Sequence, residues 1–271
     1  MIDLHTHTAR CGHAEGSAYA YVERAAQIGV DTIAITDHLP LPASILMSDP
    51  RAQHYAMPES QLSAYVAEVG EARTRAEANG GPRVLLGIEA DHIPGEERFS
   101  ADLLSAFPFD VVLGSVHMID GWTFDDPDRI DGYQHWDIGA LWDRYFEEVS
   151  IAAGSGLYDV LGHVDLVKKF RFFPEDDLHS RYVRLAETIG RTGVAVEVNT
   201  AGLRKPCAEL YPSAALLREF RLAGVPVTIG SDAHTPDEVG FGYDSAVDAL
   251  RAAGYDSVLV FENRVAQEVG L

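Results

Sequence analysis

At 271 residues the chain is long enough to bury a core without disulfide staples, and it matches the length of one α/β barrel, about 250 residues. Asp and Glu number 42 against 21 Lys and Arg, a formal net charge of −21, which argues against polynucleotide binding because a phosphate backbone needs basic surface to displace its counterions. Cys11 and Cys207 stand far apart, no apolar run approaches the roughly 20 residues of a membrane helix, and Met1-Ile2-Asp3-Leu4-His5 is no secretory start, so a cytoplasmic, membrane-free protein is expected.

In chain order, residues 2–4 form a short β-branched run. Ser17 then stands where it would cap a helix over 17–28, which Gly29 would stop. A strand over 32–35 follows, then a helix over 60–78 before the turn Asn79-Gly80-Gly81, and strands over 84–88 and 111–113. Helices over 138–153, 178–191, 213–223 and 243–253 alternate with strands over 160–161, 194–198 and 225–229, and 257–261 is a candidate eighth strand. Gly193, Gly224 and Gly254 follow three of the helices and suit left-handed C-terminal positions. No repeat or Pro/Gly/Ser-rich linker divides the chain, so residues 1–271 read as a single domain. Such alternation predicts parallel strands, either in a doubly wound sheet or in a closed barrel.

The polar residues favour the barrel. Each strand runs directly into histidine or carboxylate: His5-Thr6-His7, Thr36-Asp37-His38, Gly87-Ile88-Glu89, Ser115-Val116-His117, Gly162-His163-Val164-Asp165, Glu197-Val198-Asn199 and Ser231-Asp232-Ala233-His234. Barrel enzymes gather their sites from the C-terminal ends of several strands. Residues i and i+2 of a strand share a face, so His5 and His7 can reach one ion, and Asp232 and His234 repeat that spacing. Glu89 adds a carboxylate able to bridge two ions, and histidine with carboxylate suits Zn, Fe or Mn.

These motifs, in this order and with Cys11-Gly12-His13 between the first two, resemble the polymerase and histidinol phosphatase (PHP) family over essentially the whole chain. Within it the chain is similar to the stand-alone histidinol-phosphatase branch. The cues are Gly87-Ile88-Glu89-Ala90-Asp91, Gly121-Trp122, Asp165-Leu166-Val167-Lys168-Lys169 and, most of all, the stretch from Glu197 to Pro206. The resemblance implies a distorted (β/α)7 TIM-like barrel and three divalent metal ions (Zn, Fe or Mn). By motif, His5, His7, Glu89 and Asp232 would hold the first ion, and Glu89, His117 and His163 the second. His13, His38 and His234 would hold the third. It further implies hydrolysis of the small phosphomonoester L-histidinol phosphate, with Glu89, Asp232 and His234 at the catalytic centre.

A phosphate dianion repels its nucleophile, and divalent ions counter this by activating water and offsetting phosphoryl charge. Arg204, Lys205 and Arg171 lie beyond strands on the same rim and are candidates to grip phosphate; Glu197 and Asn199 are candidates to contact the rest of the substrate. Asp37 and Asp165 adjoin ligands and are expected to orient imidazoles. His54, His92, His135 and His179 are expected at the surface or in satisfied positions, Trp122, Trp136 and Trp142 in packing, and Cys11 as a bystander. The rivals are a PHP phosphoesterase acting on a nucleotide or another small phosphomonoester, an amidohydrolase, and a non-catalytic metal-stabilised regulator. Against the amidohydrolase, no strand-end lysine stands where one would bridge metals.

Overall fold

The computed structural model describes residues 1–271. Its regular elements begin with β1 (Ile2–Asp3), α1 (Ala18–Ile28), β2 (Thr32–Ile35), α2 (Ala43–Ser48), α3 (Leu62–Ala78), β3 (Arg83–Asp91) and α4 (Glu97–Ser105). Next come β4 (Val111–Ser115), the two-residue strands β5 (Met118–Ile119) and β6 (Trp122–Thr123), α5 (Ile138–Gly154), β7 (Val160–Leu161), α6 (His179–Gly190) and β8 (Ala195–Asn199). The chain closes with α7 (Ala214–Leu222), β9 (Val227–Gly230), α8 (Tyr243–Ala253), β10 (Ser257–Glu262) and β11 (Val265–Gly270). None of the helices is long and apolar enough to cross a membrane.

Seven strands pair in parallel in the order β1-β2-β3-β4-β7-β8-β9. The first and last then meet. The Leu4 N–H donates to Ile229 O at 2.9 Å, the His7 N–H donates to Ala233 O at 2.8 Å, and Thr6 bridges Ala233 in parallel. This closure excludes the doubly wound alternative and makes the fold the expected sevenfold barrel.

Strand alternation explains how the barrel carries both a core and a site. On β3, Val84, Leu86 and Ile88 pack outward with Val69, Ala72 and Ala76 of α3, whereas Leu85 belongs to a separate apolar cluster. Leu85, Gly87 and Glu89 share the other face at two-residue spacing, so that face passes from apolar to carboxylate along the strand. Gly87 is required there, because a Cβ would sit 2.5 Å from Thr36 Cγ2.

Two local expectations change. Residues 257–261 do form a strand, but β10 pairs antiparallel with β11 in a C-terminal hairpin, since β1 and β9 already satisfy each other. Ser17 occupies the N-cap of α1 without a side-chain capping bond; Glu68 Oε1 accepts the Ala18 N–H at 3.1 Å instead. Gly29 ends α1 in the left-handed region (φ 78°), as its position predicts.

Candidate active site

His5, His7, His38, Glu89, His117, His163, Asp232 and His234 converge above the C-terminal ends of the strands. Two of them need unusual backbone: His163 (φ 26°) and Asp232 (φ 50°) are left-handed without being glycine. Such conformations cost of order 1–3 kcal/mol each and persist where the surroundings impose them.

Glu89 is the hub. Its Oε2 lies 3.2 Å from His5 Nε2, 3.3 Å from His7 Nε2 and 3.1 Å from His38 Nδ1. Its Oε1 lies 3.1 Å from His163 Nε2 and 3.7 Å from His117 Nε2, and accepts from Ser115 Oγ at 2.5 Å. The two oxygens of one carboxylate thus face different imidazole groups. Asp232 Oδ1 sits 3.3 Å from His7 Nε2 and 3.8 Å from His5 Nε2. Five sets with ligand atoms mutually within 4.8 Å result: His5, His7 and Asp232; Glu89, His117 and His163; His38, Asp91 and His117; His7, Cys11 and Asp37; and His7, His38 and His234. His13 stands beside the last set, its ring centroid 5.3 Å from His38 and 5.0 Å from His234.

The donor set fits divalent ions. His5 Nε2, His7 Nε2 and His38 Nδ1 are buried, converge on Glu89 Oε2 and have no hydrogen-bond partner. Unpaired buried polar atoms cost about 1–3 kcal/mol each, and a cation among imidazoles and carboxylates satisfies them together.

Outer partners hold these rings. His5 Nδ1 donates to Glu197 Oε1 at 2.7 Å, His117 Nδ1 to Asp91 Oδ1 at 2.7 Å, and His234 Nδ1 to Asp232 O at 3.0 Å. His13 Nδ1 reaches His54 O at 3.1 Å and Cys11 O at 3.2 Å. A ring whose Nδ1–H is held outward presents the Nε2 lone pair inward. Glu197 Oε2 also accepts from Asn199 Nδ2 at 3.0 Å and from the His163 N–H at 3.2 Å. Both Glu197 and Asn199 are fully buried behind the cluster. They brace histidines and Asp232 and do not face the open cleft where the sequence places substrate.

Burial and charge divide the cluster. Burial disfavours a charged His5, but Glu197, Glu89 and Asp232 outweigh it and hold its pKa well above the usual histidine value. For His117 burial is again opposed, here by Asp91, and the pKa rises to about 10. Burial and the nearby imidazoles of His7 and His13 take His234 down to about 3, and His38 also falls well below its usual range, chiefly through burial. Against the effect of burial, His38 and His5 hold Glu89 well below the carboxylate range, and His5 does the same for Asp232.

A cleft of about 460 Å³ opens over the cluster, and the cations on its wall are Lys169 and Lys205. Lys169 Nζ donates to Asp125 O at 2.6 Å and approaches Asp125 Oδ2 at 3.1 Å. Arg204 and Arg171 do not line the cleft. Arg204 donates to Ser231 O and Asp232 O at 3.0 and 3.1 Å, pairs with Glu238 and lies over Phe241, so its guanidinium braces the loop after β9 from behind. Arg171 is exposed on a left-handed turn (φ 67°).

Lys169 is not among the phosphate candidates read from the sequence, yet it lines the cleft. Lys168 is fully buried on Asp165 (2.8 Å) and Leu210 O (2.7 Å), so Asp165 holds a lysine and not an imidazole. Asp37 accepts from the Thr8 N–H at 2.6 Å, and burial raises its pKa to about 6. His54 is exposed, as expected, and also lines the cleft; His92 is buried against Tyr158 (3.3 Å) and, with His135 and His179, lies outside it. Trp142 is fully buried, in keeping with packing.

The family model described as PHP domain matches residues 3–201. The chain is 39% identical to a probable histidinol-phosphatase of Deinococcus radiodurans, covering 98% of each chain. It is 29% identical to a histidinol-phosphatase of Bacillus subtilis, covering 90% of this chain and 97% of that one. Its fold matches a histidinol phosphate phosphatase from Lactococcus lactis subsp. lactis, solved in complex with Zn, L-histidinol and phosphate. The TM-score is 0.81 at 19% identity, over 98% of both chains. By sequence, the chain belongs to the PHP family.

Proposed function

We propose that this protein is a metal-dependent histidinol-phosphatase, in which water cleaves L-histidinol phosphate to L-histidinol and phosphate on one catalytic domain spanning residues 1–271. The observation that carries this reading is Glu89, with its two oxygens turned to separate imidazole groups beneath a cleft walled by Lys169 and Lys205. The 39% identity to a probable histidinol-phosphatase supports the same substrate.

Three divalent ions, of zinc, iron or manganese, suit the donors. His5, His7, Asp232 and Glu89 would hold the first, and Glu89, His117 and His163 the second. His38 and His234 would hold the third, together with His13. Divalent ions held by these residues would supply an acidified water and offset charge on the phosphoryl oxygens. Asp91 and Glu197 orient His117 and His5 toward them. Lys169 and Lys205 draw in the phosphate as point charges, a role the sequence suggested for Lys205, Arg204 and Arg171. His234, with its pKa near 3, is suited to neutral ligation and not to protonating the leaving alkoxide. Cleft carboxylates Asp91, Asp125 and Asp126 favour a substrate that carries an ammonium group, and the net charge of −21 disfavours polynucleotide. The two free thiols fit a cytoplasmic setting.

Phosphate release from L-histidinol phosphate, set against nucleoside monophosphates and a chelator control, tests this reading. A kcat/KM advantage of at least about 100-fold for histidinol phosphate is expected, a lower bound, since sites built to hydrogen-bond a substrate group discriminate by roughly 10⁴- to 10⁵-fold. Equal or faster turnover of nucleotides would move the assignment to another PHP phosphoesterase.

A further inference from the structure

Residues 49–55 contribute His54 and Tyr55 to the wall of the cleft. Little apolar burial holds them. α2, just before, buries no residue, and the 3-10 turn Pro50–His54 buries only Ala52, in a satellite core of three residues. Polar contacts to one loop do most of the anchoring. Asp126 Oδ2 accepts from the Tyr55 hydroxyl at 2.6 Å and from Arg51 Nη2 at 2.8 Å, while Asp49 pairs with Arg129. The other oxygen of Asp126 caps the Asp128 N–H at 2.8 Å, so the carboxylate is itself fixed, with 14% of its side chain exposed.

On its opposite side the same segment presents the His54 carbonyl to His13 Nδ1 at 3.1 Å. Gly12 backs that carbonyl closely; a Cβ there would lie 3.1 Å from the oxygen. A ring held by Nδ1 turns Nε2 away, and His38 and His234 stand beside this ring at 5.3 and 5.0 Å between centroids.

We propose that Asp126 is a positioning residue for His13. By pinning residues 49–55 it sets the His54 carbonyl, and through it the orientation of the His13 ring toward His38 and His234. Asp126 touches none of the three histidines and reaches them only through the segment. The inference rests on the reading of this cluster as a metal centre. It adds that the cleft wall and the His13 ring share one restraint.

The test loads the full chain and its Asp126→Asn, Tyr55→Phe, His13→Ala and Asp126→Asn/His13→Ala variants with Zn2+. Each is dialysed against graded chelator, and zinc per chain is measured together with phosphate release and metal-free thermal unfolding. Asp126→Asn is expected to lose the same single ion as His13→Ala at about tenfold lower chelator, the usual scale for a residue that orients a ligand. Tyr55→Phe, which removes one hydroxyl and guards against misfolding, is expected to shift retention in the same direction by less. The double variant should retain no less zinc than His13→Ala alone. Wild-type retention in Asp126→Asn, or losses that add in the double variant, would overturn the proposal. If His13→Ala keeps the full complement, the proposal fails while histidinol phosphate turnover stands. If the unmodified protein neither binds zinc nor turns over, the functional reading fails with it.

Discussion

Lys169 and Arg171 are two cations separated by one residue that meet different surroundings. Lys169 lines the cleft beside Asp125; Arg171 projects into solvent. Lys169→Met is therefore expected to lower kcat/KM for histidinol phosphate by about 10- to 100-fold, the worth of a hydrogen bond to a charged group. Arg171→Ala should stay within about twofold, as for a solvated surface charge. Steady-state kinetics on the two variants check this, and the reverse ranking would remove Lys169 from the substrate site. At this scale the sequence was only partly legible. Histidine and carboxylate at strand ends announce themselves by spacing, as His5 with His7 and Asp232 with His234 do. Which way a rim cation turns is decided by tertiary partners: Ser231 O, Asp232 O and Glu238 hold Arg204 behind the site, and nothing in the local sequence specifies them. Glu197 and Asn199 share a strand face as their spacing predicts, but that face is sealed beneath His5 and Asp232.

At the level of the element, the barrel strands were legible because β-branched runs between helical segments have few alternatives. The partner of the last strand was not. β10 has the composition of a barrel strand, yet its place depends on whether β1 and β9 leave an edge open, which is a property of the closed sheet. α2 and α4 were missed because they are short and bury little: none of the six residues of α2, and Ser100 and Leu104 in α4. The strands also explain why glycine precedes so many ligands. A Cβ on Gly230 would lie 2.1 Å from Glu197 Oε1 and 2.5 Å from His5 Cβ, both buried. Gly230→Ala is expected to cost about 1–3 kcal/mol of stability by overpacking and to displace the carboxylate that orients His5. Denaturant unfolding and zinc retention measured together check this. Unchanged values for both would mean that β9 and β8 can separate without consequence.

For the whole molecule, the charge distribution predicts how the site fills. Without metal, His5 and His117 carry protons at pH 7, since neighbouring carboxylates raise their pKa values, while Glu89 and Asp232 are already ionised. Ions bind the neutral imidazole, so loading should release about two protons per chain at pH 7. The contribution of His117 should fade as the pH rises through about 10, where the free ring is already neutral. Calorimetric zinc titration in buffers of different ionisation enthalpy reads this number directly. A slope near zero would mean that both rings are neutral before metal arrives.

The most direct measurement is anomalous scattering from crystals grown with Zn2+. The expected map has one peak on either side of the Glu89 carboxylate, toward His5, His7 and Asp232 and toward His117 and His163, and a third beside His38 and His234. Peaks away from Glu89, or none in a protein that still releases phosphate from histidinol phosphate, would contradict a metal centre built from the strand ends.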